Sequence, residues 1–134
     1  IINMHKTKTI NPDIPFVANF FGKDGKVDIT DLSSGRTLEE DAEFAKMRCD
    51  AVVTTGEGTG KDCPTEKLVE FRSVLSGFPL IVGAGVTADN VCEKLQFADG
   101  VIIGSWLKDG HHDYGDVCEA YVKEFMDRVR EFHK

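Results

Sequence analysis

The chain has no Lys/Arg cluster, no long apolar run and no CxxC pair, and each absence removes a class of function. Its net charge is −7. Binding a nucleic-acid backbone needs a basic face, so no nucleic-acid partner is expected. No apolar stretch approaches the ~20 residues that span a bilayer, so no transmembrane segment is expected either. The opening Ile1-Ile2-Asn3-Met4-His5-Lys6 lacks the charged-then-apolar order of a signal peptide. The chain opens on Ile1 rather than Met, as a fragment or a processed form does, and in that case any targeting segment lies upstream. The four cysteines, Cys49, Cys63, Cys92 and Cys118, are widely and irregularly spaced. A zinc or disulfide framework is therefore disfavoured. Four reduced thiols in a cytosol-like compartment are expected, or in an organelle if a targeting segment is missing. Low-complexity tracts and solenoid repeats are absent.

What is present is an ordinary globular composition. Of 134 residues, 41% are hydrophobic and 29% charged, which predicts a single domain over 1–134. A chain of this length can bury roughly two-thirds of its unfolded surface, enough for a real core.

Two segments carry most of the information. Leu80-Ile81-Val82-Gly83-Ala84-Gly85-Val86-Thr87 and Ala98-Asp99-Gly100-Val101-Ile102-Ile103-Gly104-Ser105 are both short apolar runs that end in glycine. Such runs read as buried parallel strands, covered on both faces. Glycine at the strand end lets backbone N–H groups approach a ligand, and unpaired donors follow where a helix opens. Side by side, two such ends suit an anion, most often phosphate.

The whole chain reads as four strand–helix units. The strands are Pro15–Phe21, Asp50–Thr55, Leu80–Gly83 and Gly100–Gly104. A helix starts at Thr37, where Thr37-Leu38-Glu39-Glu40 has the form of a capping box; Leu38, Ala42, Ala45 and Met47 lie along one face. Pro64 opens a second helix with Leu68, Phe71, Arg72 and Leu75 at helical spacing. Thr87 is an N-cap candidate for a short helix carrying Val91 and Leu95. The last helix carries Tyr114, Val117, Tyr121, Phe125, Val129 and Phe132 on one stripe. Alternating units of this kind build a parallel sheet with right-handed crossovers.

In an eight-stranded (β/α) barrel the loops after the last two strands commonly hold phosphate. Here that points to Gly83, Gly85, Gly104 and Ser105. The loop Gly56-Glu57-Gly58-Thr59-Gly60-Lys61-Asp62 is not a nucleotide P-loop, because position 55 is Thr and position 62 is Asp. It suits a mobile loop at a strand's C-terminal end, where Thr55, Thr59 and Lys61 could reach a ligand. Asn19 is an unusual residue in an apolar strand, and Lys23 follows the same strand; both are candidates for the reacting centre. Cys63 is an isolated loop cysteine. His111-His112-Asp113 lacks a third ligand at a useful spacing, so no metal and no cofactor is expected. Asp50 and Asp99 precede strands, at the end of a barrel that serves stability.

The order and spacing of five pieces resemble the BtpA/SgcQ family. They are Asp50–Gly56, Thr59-Gly60 with Pro64-Thr65, Val82–Thr87 with Asn90-Val91, Ala98–Ser105, and Lys108 with Gly110. The resemblance covers about residues 16–110. It implies a (β/α)8 TIM barrel related to phosphate-binding barrels, of which this chain is the C-terminal half. Members are named for photosystem I biogenesis or described as sugar- or nucleoside-related enzymes, and no defined reaction comes with the family. The resemblance implies ligand contacts at Gly85, Gly104 and Ser105, and at Lys108. Three positions depart from the family pattern. Ala18-Asn19 and Lys23-Asp24 stand where the family tends to Ala-Asp and Lys-His, so acid–base chemistry there would be altered or lost. Gly83-Ala84-Gly85 replaces a common Gly-Ser-Gly.

A complete barrel takes about 250 residues, so half of one leaves two unpaired sheet edges. A fragment of a longer chain, or two associated copies, is expected. Two further readings stay open. One is a non-enzymatic assembly factor that kept the barrel and lost its chemistry. The other is an open flavodoxin-like sheet, which fits the length better and the motifs worse.

Overall fold

A computed structural model describes residues 17–20, 37–56 and 60–132. Its elements run β1 (Val17–Phe20), α1 (Leu38–Arg48), β2 (Ala51–Thr55), α2 (Thr65–Leu75), β3 (Leu80–Gly83), α3 (Val91–Lys94), β4 (Gly100–Ile102) and α4 (Glu119–Phe132), with two 3-10 turns between β4 and α4. The strands form one parallel sheet in the order β1-β2-β3-β4. Each strand lies beside the next in sequence, as the strands of a barrel do. A doubly wound sheet reverses its order at a switch point, and among the described residues this one does not. The fold is four of the strand–helix units of a TIM barrel, the arrangement expected of its C-terminal half.

The elements form where local chemistry directs. Thr37 caps α1 with a complete capping box: Glu40 N–H donates to Thr37 Oγ1 over 3.3 Å, and Thr37 N–H donates to Glu40 Oε2 over 2.8 Å. Acids in the first turn of α1 and bases in its last complement the helix dipole. All five residues of β2 are buried, which explains why none of them is charged and why polar and apolar residues do not alternate along it. The core joins Val52, Leu80 and Val82 of the sheet to Leu68, Phe71 and Leu75 of α2, Ala42 and Ala45 of α1, and Val91 of α3.

Several boundaries differ from the sequence expectation. β1 is described over Val17–Phe20, with Pro15, Phe16 and Phe21 outside the described residues, and β2 begins at Ala51. β4 stops at Ile102, because Gly104 (φ −138°, ψ −84°) leaves extended geometry and leads into the turn Ser105–Leu107. Met47 is 69% exposed rather than facing the core with Ala42 and Ala45. The last helix begins at Glu119, so Tyr114 and Val117 are not on its stripe. Val117 instead bridges Lys108 in antiparallel fashion. The residue immediately before α3 is Asn90, whose side chain makes no cap bond to the helix, and Thr87 lies three residues earlier. The two are nonetheless reciprocally bonded: Thr87 N–H donates to Asn90 Oδ1, and Asn90 N–H donates to Thr87 Oγ1.

The end of the sheet from which the strands enter is held by one clamp. Arg72 donates from Nε to the Phe97 carbonyl (2.7 Å) and from Nη1 to the carbonyls of Ser76 (2.7 Å) and Phe78 (3.1 Å). Its Nη2 meets Asp99 Oδ2 at 2.7 Å, and the same oxygen accepts the Leu80 N–H at 2.8 Å. One guanidinium therefore ties the end of α2 to the starts of β3 and β4. This is the structural role expected of Asp99. Partial burial pushes the Asp99 carboxyl up, but the Leu80 N–H and the Arg72 guanidinium together hold it below the usual carboxylate range.

A carboxyl with a lower pKa folded than unfolded stabilises fully above its unfolded pKa, about 3.9 for aspartate. That contribution fades as pH falls through the folded value. Asp99→Asn is therefore expected to lower stability at neutral pH and to flatten the loss of stability below about pH 4, read from urea midpoints across a pH series. Parallel acid limbs for the two proteins would show that Asp99 does not carry this dependence.

Candidate functional site

The C-terminal ends of the strands open into a cleft of about 850 Å³. Its lining comes from Thr55 at the end of β2 and Gly60 beyond it, Ala84–Thr87 after β3, Ile102 at the end of β4 with Ile103–Trp106 beyond it, and Lys108 with His111–Tyr114 beyond the turn.

Backbone geometry shapes the β3 side. Gly85 has φ +65°, and a Cβ built on it would run into the Lys61 carbonyl and the Asp62 Cα. A side chain at Gly56 would strike the carbonyls of Lys61 and Asp62 from the other side. The loop after β2 can therefore lie against the turn after β3 only because both positions are glycine. Ala84 is also left-handed (φ 65°), as is His111 (φ 56°). Among the described residues three non-glycine residues have positive φ, and two of them line this cleft. Strain of this kind collects at sites that must hold a fixed shape.

Two buried lysines hold the feet of the β2 loop. Lys67 Nζ donates to the Thr55 carbonyl at 2.7 Å, and Lys94 Nζ donates to the Cys63 carbonyl at 2.7 Å. Both lysines are at most 3% exposed. Burial pushes the Lys67 ammonium down, with the Cys63 sulfur acting against that. Burial likewise pushes the Cys63 thiol up, against the pull of the Lys67 ammonium and the Thr54 hydroxyl. Cys63 is thus a buried thiol beside a structural lysine rather than an activated nucleophile. Sequence reasoning missed both lysines. The signal was a lysine on an apolar helix face: Lys67 precedes Phe71 by four positions, and Lys94 follows Val91 by three.

On the β4 side, the Ser105 hydroxyl donates to Asp113 Oδ1, and Lys108 Nζ donates to the Asp113 carbonyl. The hydroxyl at the end of β4 therefore already faces an oxyanion, supplied by the chain itself. His111 Nδ1 bonds the Trp106 carbonyl at 2.7 Å, and its ring stacks on Trp106 with centroids 5.3 Å apart. His112 stacks instead on Tyr114, with centroids 5.0 Å apart. The adjacent imidazoles are engaged by different partners and do not converge. Among the described residues no group of three or more His, Cys, Asp or Glu side chains is placed to hold a metal.

The residues expected from sequence fall into three groups. Thr55, Gly85, Gly104, Ser105 and Lys108 share the cleft. Gly83 and Lys61 are absent from its lining. Gly83 is buried in the sheet, where a Cβ would press on Thr55 Cγ2 and Val53 Cγ1 at 3.1 Å. Lys61 contributes its backbone, against Gly85. Asn19 pairs in register with Val53 of β2. Lys23, Asp24 and Thr59 lie outside the described residues. Trp106 lines the cleft and was not singled out from sequence.

The contact at Gly85 gives a direct test. Gly85→Ala, which meets both a left-handed φ and the Lys61 backbone, is expected to cost about 2 kcal/mol or more. Ala84→Gly, which relieves a left-handed alanine, is expected to be neutral or to stabilise by up to about 1 kcal/mol. Denaturant titrations read both, and a harmless Gly85→Ala would contradict the close approach.

Comparison with known proteins follows the same lines. The fold matches thiamine phosphate pyrophosphorylase from Pyrococcus furiosus with a TM-score of 0.68 and 16% identity, over 99% of this chain and 57% of that one. It matches phosphoribosyl anthranilate isomerase from Thermus thermophilus with a TM-score of 0.66 and 15% identity, over 92% of this chain and 54% of that one. At such identities the likeness concerns the fold alone. An uncharacterised protein of Thermococcus kodakarensis is 32% identical over 85 residues, which are 63% of this chain and 32% of that protein. The Photosystem I biogenesis protein BtpA of Synechocystis is 32% identical over 86 residues, 61% of this chain and 29% of its own length. The matched stretches thus take in about a third of these relatives. A family model described as the BtpA family matches residues 4–131, nearly the whole chain, and the chain belongs to that family.

Proposed function

We propose that this chain binds a small phosphorylated metabolite at the C-terminal ends of β3 and β4. The observation that carries the reading is the Ser105 hydroxyl, which donates to a carboxylate oxygen within a cleft that Gly85, Gly104 and Lys108 also line. A phosphate takes the place of the Asp113 carboxylate: Ser105 turns its single donor to the ligand, and Lys108 supplies positive charge. Backbone N–H groups around Gly85 and Gly104 add donors at the strand ends. Gly83 supports this cradle from within the sheet. Thr55 lines the part of the cleft that we assign to the reacting end of the ligand, for which the sequence also nominates Asn19, Lys23 and Lys61. The printed names of the two fold neighbours, a thiamine phosphate enzyme and a phosphoribosyl enzyme, agree with such a ligand.

A second reading is an assembly or biogenesis factor on the same scaffold. The printed name of the Synechocystis relative favours it, and so does the amide at Asn19 in place of an acid. The two readings part on turnover: an Asn19→Asp, Asp24→His variant that gains activity on a sugar phosphate points to a decayed enzyme. We also propose that the outer edges of β1 and β4 associate with further strands. Neither edge carries a partner among the described residues, and Ile102 on β4 is 54% exposed. Among the described residues no helix is long and apolar enough to cross a membrane.

Calorimetry with inorganic phosphate and with sugar phosphates is expected to show saturable binding. Ser105→Ala is expected to weaken it by about tenfold, the value of one hydrogen bond to a charged group. Asp113→Ala, which removes the competing carboxylate, is expected to strengthen it. Absence of binding at millimolar ligand, or identical affinity in both variants, would overturn the reading. Sedimentation reads the edge proposal, and a stable, compact monomer would contradict it.

A further inference from the structure

Beyond the cradle itself, the loop after β2 and the turn after β3 are joined by a chain of polar side chains. Asp62, at the end of the loop, uses both carboxylate oxygens. Oδ2 pairs with Lys94 Nζ at 3.1 Å, and Oδ1 accepts from Asn90 Nδ2 at 3.2 Å. The same Asn90 nitrogen donates to the Gly85 carbonyl at 3.0 Å, while Asn90 Oδ1 accepts the Thr87 N–H at 2.8 Å. Lys94 is 1% exposed and also donates to the Cys63 carbonyl. A buried ammonium of this kind holds its acceptors firmly, because leaving any donor unmet is costly. Asn90 thus reads both sides at once: its amide nitrogen ties Asp62 to Gly85, and its amide oxygen fixes Thr87.

We infer that Asn90, with Asp62 and Lys94, is a positioning residue that locks the β2 loop to the Gly85 turn, so that the two move as one body and present Gly85 to the ligand. The inference rests on the phosphate reading for its consequence, but the lock itself can be measured without ligand. None of the three residues touches the proposed phosphate, so their effect passes through the backbone of Gly85 and Thr87.

Asn90→Asp separates this role from the bond to Thr87. A carboxylate oxygen accepts where the amide oxygen did, so the bond from the Thr87 N–H survives. The donor to Asp62 and Gly85 is replaced by a second carboxylate facing Asp62. Backbone order parameters from nitrogen-15 relaxation at Asp62 and Gly85 are expected to fall together, because the Asn90 amide nitrogen no longer bridges the two segments. The thermal midpoint is expected to stay within a few degrees of the parent. Phosphate affinity is expected to fall by about fivefold or more, and Asp62→Ala is expected to reproduce both changes. Unchanged order parameters at the two positions in both variants would overturn the inference, as would a fall at only one of them. A parent protein that binds no phosphate would instead overturn the site reading, leaving the lock to be judged on the order parameters alone.

Discussion

The site depends on one close approach, that of the Lys61–Asp62 backbone to Gly85. Two glycines make it possible, since a side chain at Gly56 or at Gly85 would occupy the space that the loop backbone takes. Once the loop lies there, its carbonyls are buried and need donors. Lys67 and Lys94 provide them at Thr55 and Cys63. Two lysines are thereby drawn into the interior, where an ammonium is tolerated only with its hydrogen bonds met. Glycine at two positions and lysine at two others are consequences of the same packing problem.

The two ends of the sheet divide the work. At the entry end the Arg72 guanidinium bonds three carbonyls and Asp99, and the chain gains rigidity there. At the exit end the turns are left-handed or short, and polar groups face a cleft. That division is general among (β/α) barrels. It explains why two aspartates before strands, Asp50 and Asp99, read as structural, whereas Ser105 just after a strand reads as functional. The left-handed Ala84 sits at the functional end, at a position where glycine would carry no strain.

Much of the fold was legible in the sequence because buried parallel strands and capping boxes leave local signatures. The run Ala51–Thr55 is uncharged and does not alternate, and Thr37-Leu38-Glu39-Glu40 folds as its pattern predicts. Legibility failed where long-range contacts decide. Tyr114 and Val117 continue the period of the last helix on paper, yet the bridge between Lys108 and Val117 keeps that stretch out of the helix. Lys67 and Lys94 went unremarked, because a lysine on an apolar helix face does not say which carbonyl of another segment will need it. The Ser105–Asp113 bond was equally hidden, since it joins residues eight apart across a turn. The glycines after β3 were visible, but not the division between them: Gly83 packs within the sheet and Gly85 receives the loop.

The central claim is that the ends of β3 and β4 form one anion cradle. Its most direct test is a titration of the isotope-labelled protein with inorganic phosphate, followed at the backbone amides by two-dimensional NMR. The account predicts saturable shifts concentrated at Gly85, Gly104 and Ser105, all with one dissociation constant. Shifts that fail to saturate, or that gather away from these strand ends, would contradict it.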